Sequence, residues 1–255
     1  MEPLNTESAV VVEGTEAASP FVLVCEHAAN HFPMRWGTLG LDAQARQAHI
    51  AWDPGALGLA RALAARLDAA LVRATTSRLI YDLNRPPQAK GAMAAHSEVY
   101  EIPGNIRLTP EERLERAEAL YLPFHAALRA LLVRRLALGP APVLVTIHSF
   151  TPVYHGAPRA VEFGIIHDAE PSLASAVLEE ALAQTSLDAR LNEPYSAADE
   201  VTHTLALHAT PLGLANVMLE VRNDLIASEA AQEAMADRLA PVLRAALAHL
   251  LKEAA

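Results

Sequence analysis

Three polar side chains in this 255-residue chain stand where apolar runs stop. His27 ends "FVLVCEH" (21–27), His148 follows "VLVTI" (143–147), and Glu220 lies in "ANVMLEVR" (215–222). Short apolar runs bounded by polar residues read as buried strands. If those strands are parallel neighbours, the two imidazoles and the carboxylate converge on one edge of the sheet. That donor set suits a divalent cation, with zinc the first expectation and other divalent metals open. A catalytic zinc takes three protein ligands, keeps one position for water and lowers that water's pKa to about 7. A lone histidine at a strand end is ordinarily a hydrogen-bonded packing residue, and the chain has 11 histidines. The metal expectation therefore rests on convergence, not on any one residue.

Convergence needs the right scaffold, and the chain alternates strand and helix signals. "DPGALGLARALAARLDAA" (53–70) has helical spacing with Asp53 and Pro54 as N-cap and first-turn residue. "ALVRAT" (70–75) and "RLIYDL" (78–83) read as strands. Residues 109–139 open with Thr-Pro-Glu-Glu and close at Gly139, giving one long helix or two with Pro123 as a break. Further strands are expected in 160–168 and 215–222, and helices in 172–185 and 228–254. This order predicts a three-layer α/β/α fold with a mainly parallel mixed sheet. Residues 1–19 are expected to be a flexible segment and 20–255 a single catalytic domain. The loop-rich stretches 85–108 and 148–160 are where such folds build their sites.

Composition narrows the function classes. The chain is 52% hydrophobic, enough for a well-packed core, and its net charge is −10, which argues against nucleic acid or an anionic membrane as partner. One cysteine, Cys25, excludes an intramolecular disulfide and a cysteine-rich zinc site. It falls on a presumed buried strand, where a structural role is expected. The acidic N-terminus has no signal-peptide pattern and no apolar run reaches membrane-spanning length, so a cytoplasmic location is expected. A monomer or small homo-oligomer is expected. Neither a Gly-x-Ser-x-Gly elbow nor a Gly-rich phosphate loop is present.

Short words around the polar residues carry a resemblance. "YDLNRP" (81–86), "TIHSF" (146–150) and "MLEVRND" (218–224) are similar, in this order, to segments of zinc carboxypeptidases. "CEHAANHFP" (25–33), "WDPGA" (52–56), "HSFTP" (148–152) and "EVRNDL" (220–225) more closely resemble the N-formylglutamate amidohydrolase family, a branch of the same fold group. The likeness runs from about residue 20 to about 250. It implies a zinc-exopeptidase-like (phosphorylase/hydrolase-like) fold, metal-dependent hydrolysis of an amide, and a small acidic N-acyl amino acid such as N-formylglutamate as substrate.

Carried over residue by residue, the resemblance implies His27 and His148 as metal ligands and Glu220 as the general base and acid. The third ligand stays open. Carboxypeptidases use His-x-x-Glu, and here Asn30 stands three residues after His27. Asp53 is the expected acidic ligand; plain N-capping is its alternative role. Glu26 is the other candidate, although its side chain should leave a regular strand on the face opposite His27. Glu220 has its own bland alternative, an ion pair with Arg222 two residues along the strand. Asn84 and Arg85 are expected to grip the substrate carboxylate, since a guanidinium offers it a two-pronged fork. Arg78 is expected to make a second anion contact or to help polarise the scissile carbonyl, and Arg159 to meet a side-chain carboxylate, with a solvated loop arginine as the alternative for each. Tyr195, His203 and His208 lie on a segment that covers the site in this reading. The competing readings are a carboxypeptidase, another N-acyl-amino-acid deacylase, and a catalytically silent scaffold that only binds metal or ligand.

Overall fold

The computed structural model describes residues 8–139 and 141–253. Two strand pairs form small hairpins: β4 (His96–Ser97) with β5 (Tyr100–Glu101), and β7 (Val153–Tyr154) with β8 (Ala157–Pro158). The others build one sheet from β1 (Val10–Glu13), β2 (Phe21–Cys25), β3 (Ala70–Ala74), β6 (Val143–Phe150), β9 (Phe163–Ile166), β10 (Ala189–Leu191) and β11 (Asn216–Arg222). Their order is β1-β3-β2-β6-β11-β9-β10. The pairs β3–β2, β2–β6, β6–β11 and β9–β10 are parallel, whereas β1–β3 and β11–β9 are antiparallel.

Helices cover both faces: α1 (Ala43–Gln47), α2 (Ala56–Leu67), α3 (Pro110–Arg116), α4 (Leu122–Leu138), α5 (Ser172–Gln184) and α6 (Glu229–Glu253). Strand side chains alternate between the layers. Leu23, Cys25, Val145, Ile147, Val217 and Leu219 pack with α2, α5 and α6. Val22, Val24, Leu144 and Met218 face the opposite layer, where α4 brings Phe124, Leu128 and Leu132. The chain is thus the three-layer α/β/α fold that its alternating elements predict.

Four local expectations change. Val10–Glu13, expected within a flexible segment, forms β1 along the β3 edge; residues 1–7 lie outside the described residues. Residues 78–83 are a buried turn, not a strand: Arg78 N and Ser77 Oγ both donate to Ala51 O, and Ile80 N donates to Ser77 O. Pro123 does not break the helix, because a π-helical turn over Ala117–Tyr121 joins α3 to α4 ahead of it. Finally, α2 begins at Ala56 with Gly55, not Asp53, at its cap. Gly55 has φ +82°, and a Cβ there would lie 2.4 Å from Ile226 O. No larger residue fits that turn.

Candidate metal centre and substrate cavity

The turn before α2 frees the Asp53 carboxylate from helix capping. Its backbone N–H donates to His27 O (3.0 Å), and Ser149 Oγ donates to Pro54 O (2.8 Å). These bonds stitch the "WDPGA" segment to the carboxyl ends of β2 and β6. Asp53 Oδ2 then lies 3.2 Å from His27 Nδ1 and 2.9 Å from His148 Nδ1, and the two Nδ1 atoms are 3.2 Å apart. The ring centroids are 4.8 Å apart. His27, Asp53 and His148 are all buried.

The outer ring nitrogens point at two more carboxylates. His27 Nε2 donates to Asp82 Oδ1 at 2.7 Å, and His148 Nε2 lies 3.2 Å from Glu26 Oε2. Ionised carboxylates only accept, so a carboxylate behind each ring favours a proton on its Nε2 side once a cation takes the Nδ1 side. With the proton held there, each Nδ1 lone pair is free to coordinate beside the Asp53 oxygen. Tetrahedral zinc with bonds of roughly 2.0–2.1 Å holds its ligand atoms about 3.3 Å apart, close to the distances found here. Carboxylates behind metal-binding histidines fix the tautomer and ring orientation. The donor set therefore fits a divalent ion through His27, Asp53 and His148.

The electrostatics agree. Burial works against protonating either ring, yet the carboxylates outweigh it and raise both histidines, His148 well above an ordinary imidazole. Burial likewise opposes ionising Asp53 and Asp82, but the imidazoles and the Arg78 guanidinium outweigh it and hold both carboxyls down. The pocket demands positive charge at its centre.

Glu220 shares this neighbourhood. It is in register with His148 on β6 and with Gly164 on β9. A Cβ on Gly164 would lie 2.2 Å from Glu193 O and 3.1 Å from Glu220 Cβ. The glycine admits the 193–195 segment against the sheet beside Glu220. Arg222 pairs with Asp224 and Glu162, not with Glu220. Glu220 Oε2 is buried without a hydrogen-bond partner among the described residues. Burial pushes its carboxyl up to about 7, with Asp53 adding to the effect and the imidazoles and Arg78 opposing it.

A cavity of about 300 Å³ opens over these residues. Its wall includes His27, Asp53, His148, Glu220, Arg78, Arg85 and Tyr195, together with His49, Ser97, Glu98 and Tyr154 from more peripheral segments of the chain. Arg78 bridges the two carboxylates beside His27, with Nη1 to Asp53 Oδ1 at 3.1 Å and Nη2 to Asp82 Oδ2 at 3.3 Å. Arg85 donates through Nη1 to Asp199 O at 2.6 Å, and no hydrogen bond among the described residues engages its Nη2.

Several expected residues are held by protein partners or stand elsewhere, although Asn84 does line the cavity. The Asn84 amide is spent at both ends: Nδ2 donates to Val201 O, and Oδ1 accepts from Thr204 N at 2.9 Å. It fastens the 201–204 segment to the site and leaves Arg85 to meet a ligand. Arg159 lies behind the cavity wall. Its guanidinium is 4.3 Å from the Tyr154 ring and 5.0 Å from the Tyr195 ring, and Nη2 donates to Tyr195 Oη at 3.0 Å. Asn30 donates to Gln47 Oε1 at 2.9 Å, away from the metal cluster. Glu26 follows the end of β2 and sits behind His148, not among the converging atoms. His203 pairs with Tyr121 Oη, and His208 with His125, each at 2.9 Å, in a separate buried cluster. Burial lowers His125 to about 3 and His208 to about 4, so both rings are neutral. Cys25 is buried, and burial raises its thiol well above the usual range, in keeping with a structural role. Asp82 and Glu98 were not among the residues the sequence singled out. Asp82 sits inside "YDLNRP", two residues before Asn84, so the signal for it was present.

A family profile described as N-formylglutamate amidohydrolase matches residues 19–227. Among solved structures, a gene product of Agrobacterium tumefaciens is 50% identical, with TM-score 0.94 over 96% of this chain and 97% of that one. The N-formylglutamate amidohydrolase of Ralstonia eutropha JMP134 is 20% identical, with TM-score 0.68 over 98% of this chain and 100% of that one; that likeness speaks for the fold. No curated protein matches in sequence.

Proposed function

Because this chain belongs to the N-formylglutamate amidohydrolase family, we propose that it hydrolyses the amide bond of a small N-acyl amino acid at a zinc site made by His27, Asp53 and His148. The observation that carries this reading is the meeting of three ligand atoms within 3.2 Å of one another beside the unpartnered carboxylate of Glu220. A bound divalent ion supplies Lewis-acid polarisation and makes a nearby water a competent nucleophile near neutral pH.

The chain's own residues do the rest. Glu220 takes a proton from the attacking water as its oxygen bonds to the acyl carbon. When the C–N bond breaks, Glu220 returns that proton to the departing amine, so a carboxylate and a free amino acid leave. A carboxyl that burial pushes up to about 7 suits a group that must first accept a proton and then donate it. Arg78, fixed by Asp53 and Asp82, faces the cavity and stabilises the developing oxyanion. Arg85 holds the substrate carboxylate through its uncommitted side. Tyr195, braced by Arg159, closes the wall beside Glu220. N-formylglutamate is the first substrate to test, and we assign the work to one catalytic domain in the cytoplasm. Among the described residues no helix is long and apolar enough to cross a membrane.

The test is release of amine from N-formyl, N-acetyl and peptide substrates by protein as purified, after chelation, and after zinc is restored. The proposal expects hydrolysis of the N-acyl amino acids, lost with chelator and regained with zinc. Undiminished hydrolysis by metal-free protein contradicts it, and cleavage of peptides alone favours the carboxypeptidase reading.

A further inference from the structure

The part of the cavity wall built by two hairpins carries information about the substrate side chain. The β4–β5 and β7–β8 hairpins meet there. Glu98 at the first tip has φ +53° and His155 at the second has φ +47°. Both are first residues of two-residue hairpin turns, which take positive φ at that position. The contacts between the two tips run through Glu98. Its Oε1 accepts from His155 N at 3.3 Å, and its Oε2 lies 2.8 Å from His49 Nε2. Only 14% of the Glu98 side chain is exposed. A carboxylate is thus pinned in the cavity wall, held by residues other than the metal-ligand candidates.

The cations available to a ligand are fewer than the sequence suggested. Arg78 is matched by Asp53 and Asp82. Arg159 is stacked behind Tyr154 and Tyr195 and forms no part of the cavity wall. Arg85 is the less closely matched: its carboxylate neighbours, Asp82 and Glu200, stand back at 4.0 and 3.9 Å, and one side of its guanidinium is uncommitted. A substrate with one carboxylate finds its partner there. A second carboxylate, on the side chain, meets Glu98 in a partly desolvated wall, where like charges repel strongly.

We propose that Glu98 determines specificity, and that this chain selects N-acyl amino acids with a single carboxylate and an N–H-bearing side chain, an amide or a cation, over their acidic counterparts. This inference rests on the amide-hydrolase reading and deepens it. The remaining lone pairs of Glu98 accept from the side-chain N–H while Arg85 holds the α-carboxylate and the scissile amide lies over the metal ligands.

The experiment compares kcat/KM of the zinc-loaded protein for N-formylglutamine, N-formyl-lysine and N-formylglutamate, in the wild type and in Glu98→Gln. The wild type is expected to favour the glutamine or lysine derivative over glutamate by on the order of 10–100-fold. The glutamine and lysine arms tell the amide from the cation as the preferred donor. In Glu98→Gln the preference over glutamate shrinks at least about tenfold. Competitive inhibition of the wild type by free glutamine, lysine and glutamate gives the same ranking without any variant. Preference for N-formylglutamate in the wild type, or a ratio unmoved by Glu98→Gln, overturns the proposal and leaves the amide-hydrolase reading standing. Failure to cleave any of the three overturns that reading and this inference with it.

Discussion

Glu220 stands opposite His148 in the parallel ladder between β6 and β11. Strand pairing alone therefore sets the unpartnered carboxylate beside a metal-ligand candidate, before any loop contributes. The row continues through Gly164, whose missing side chain gives Glu220 its room.

Replacing Glu220 by Gln keeps size and burial and removes the proton acceptor. The expected result is a fall in kcat/KM of about 10²–10⁴-fold, with zinc content unchanged. Steady-state kinetics beside elemental analysis check it; full activity in a zinc-loaded variant contradicts the role.

The same variant reports on stability. In the metal-free protein burial raises the Glu220 carboxyl from 4.5 to about 7. The folded state then binds its proton more tightly than the unfolded state does. Its contribution to stability is fully present below about pH 4.5 and is lost as pH rises through about 7. Metal-free wild type should therefore lose on the order of 3 kcal/mol relative to Glu220→Gln between those pH values. Denaturant melts of both proteins from pH 5 to 8 measure the gap; a gap independent of pH removes the premise.

Asp82→Asn keeps an acceptor for His27 Nε2 but removes the charge behind the imidazole and one of the Arg78 partners. Zinc affinity is expected to fall about 10–100-fold. Competition against a chromophoric chelator reads this without turnover. Unchanged affinity means that Asp82 does not tune the ligand.

Gly55→Ala drives a Cβ to 2.4 Å from Ile226 O at φ +82°. The turn must shift, and Asp53 two residues earlier shifts with it. A loss of about 2–4 kcal/mol is expected, with weaker zinc binding. Chemical denaturation checks the first and zinc titration the second.

The legible parts of this site were those written in strand periodicity. His27, His148 and Glu220 each interrupt an apolar run, so their position at one sheet edge follows from the strands. Asp53 was half legible: its place before a helix suggested capping as readily as ligation, and only the Gly55 turn decides between them. Asp82 was hidden because Leu79, Ile80, Tyr81 and Leu83 are buried like strand residues, while hydrogen bonds to Ala51 O fold them into a turn. β1 was missed because four residues between acidic stretches carry little signal until β3 supplies a partner. Arg159 and Glu98 were illegible in principle, since two aromatic rings and a second hairpin, distant in sequence, decide what each one faces.

The central claim is that two imidazoles from positions 27 and 148 and the carboxylate of residue 53 hold one divalent ion. Calorimetric titration of zinc into metal-free protein tests it most directly, run on the wild type, His27→Ala and His148→Ala. The account predicts one ion per chain in the wild type and an affinity weaker by more than about 100-fold in each variant. Equal stoichiometry and affinity in all three proteins would contradict it.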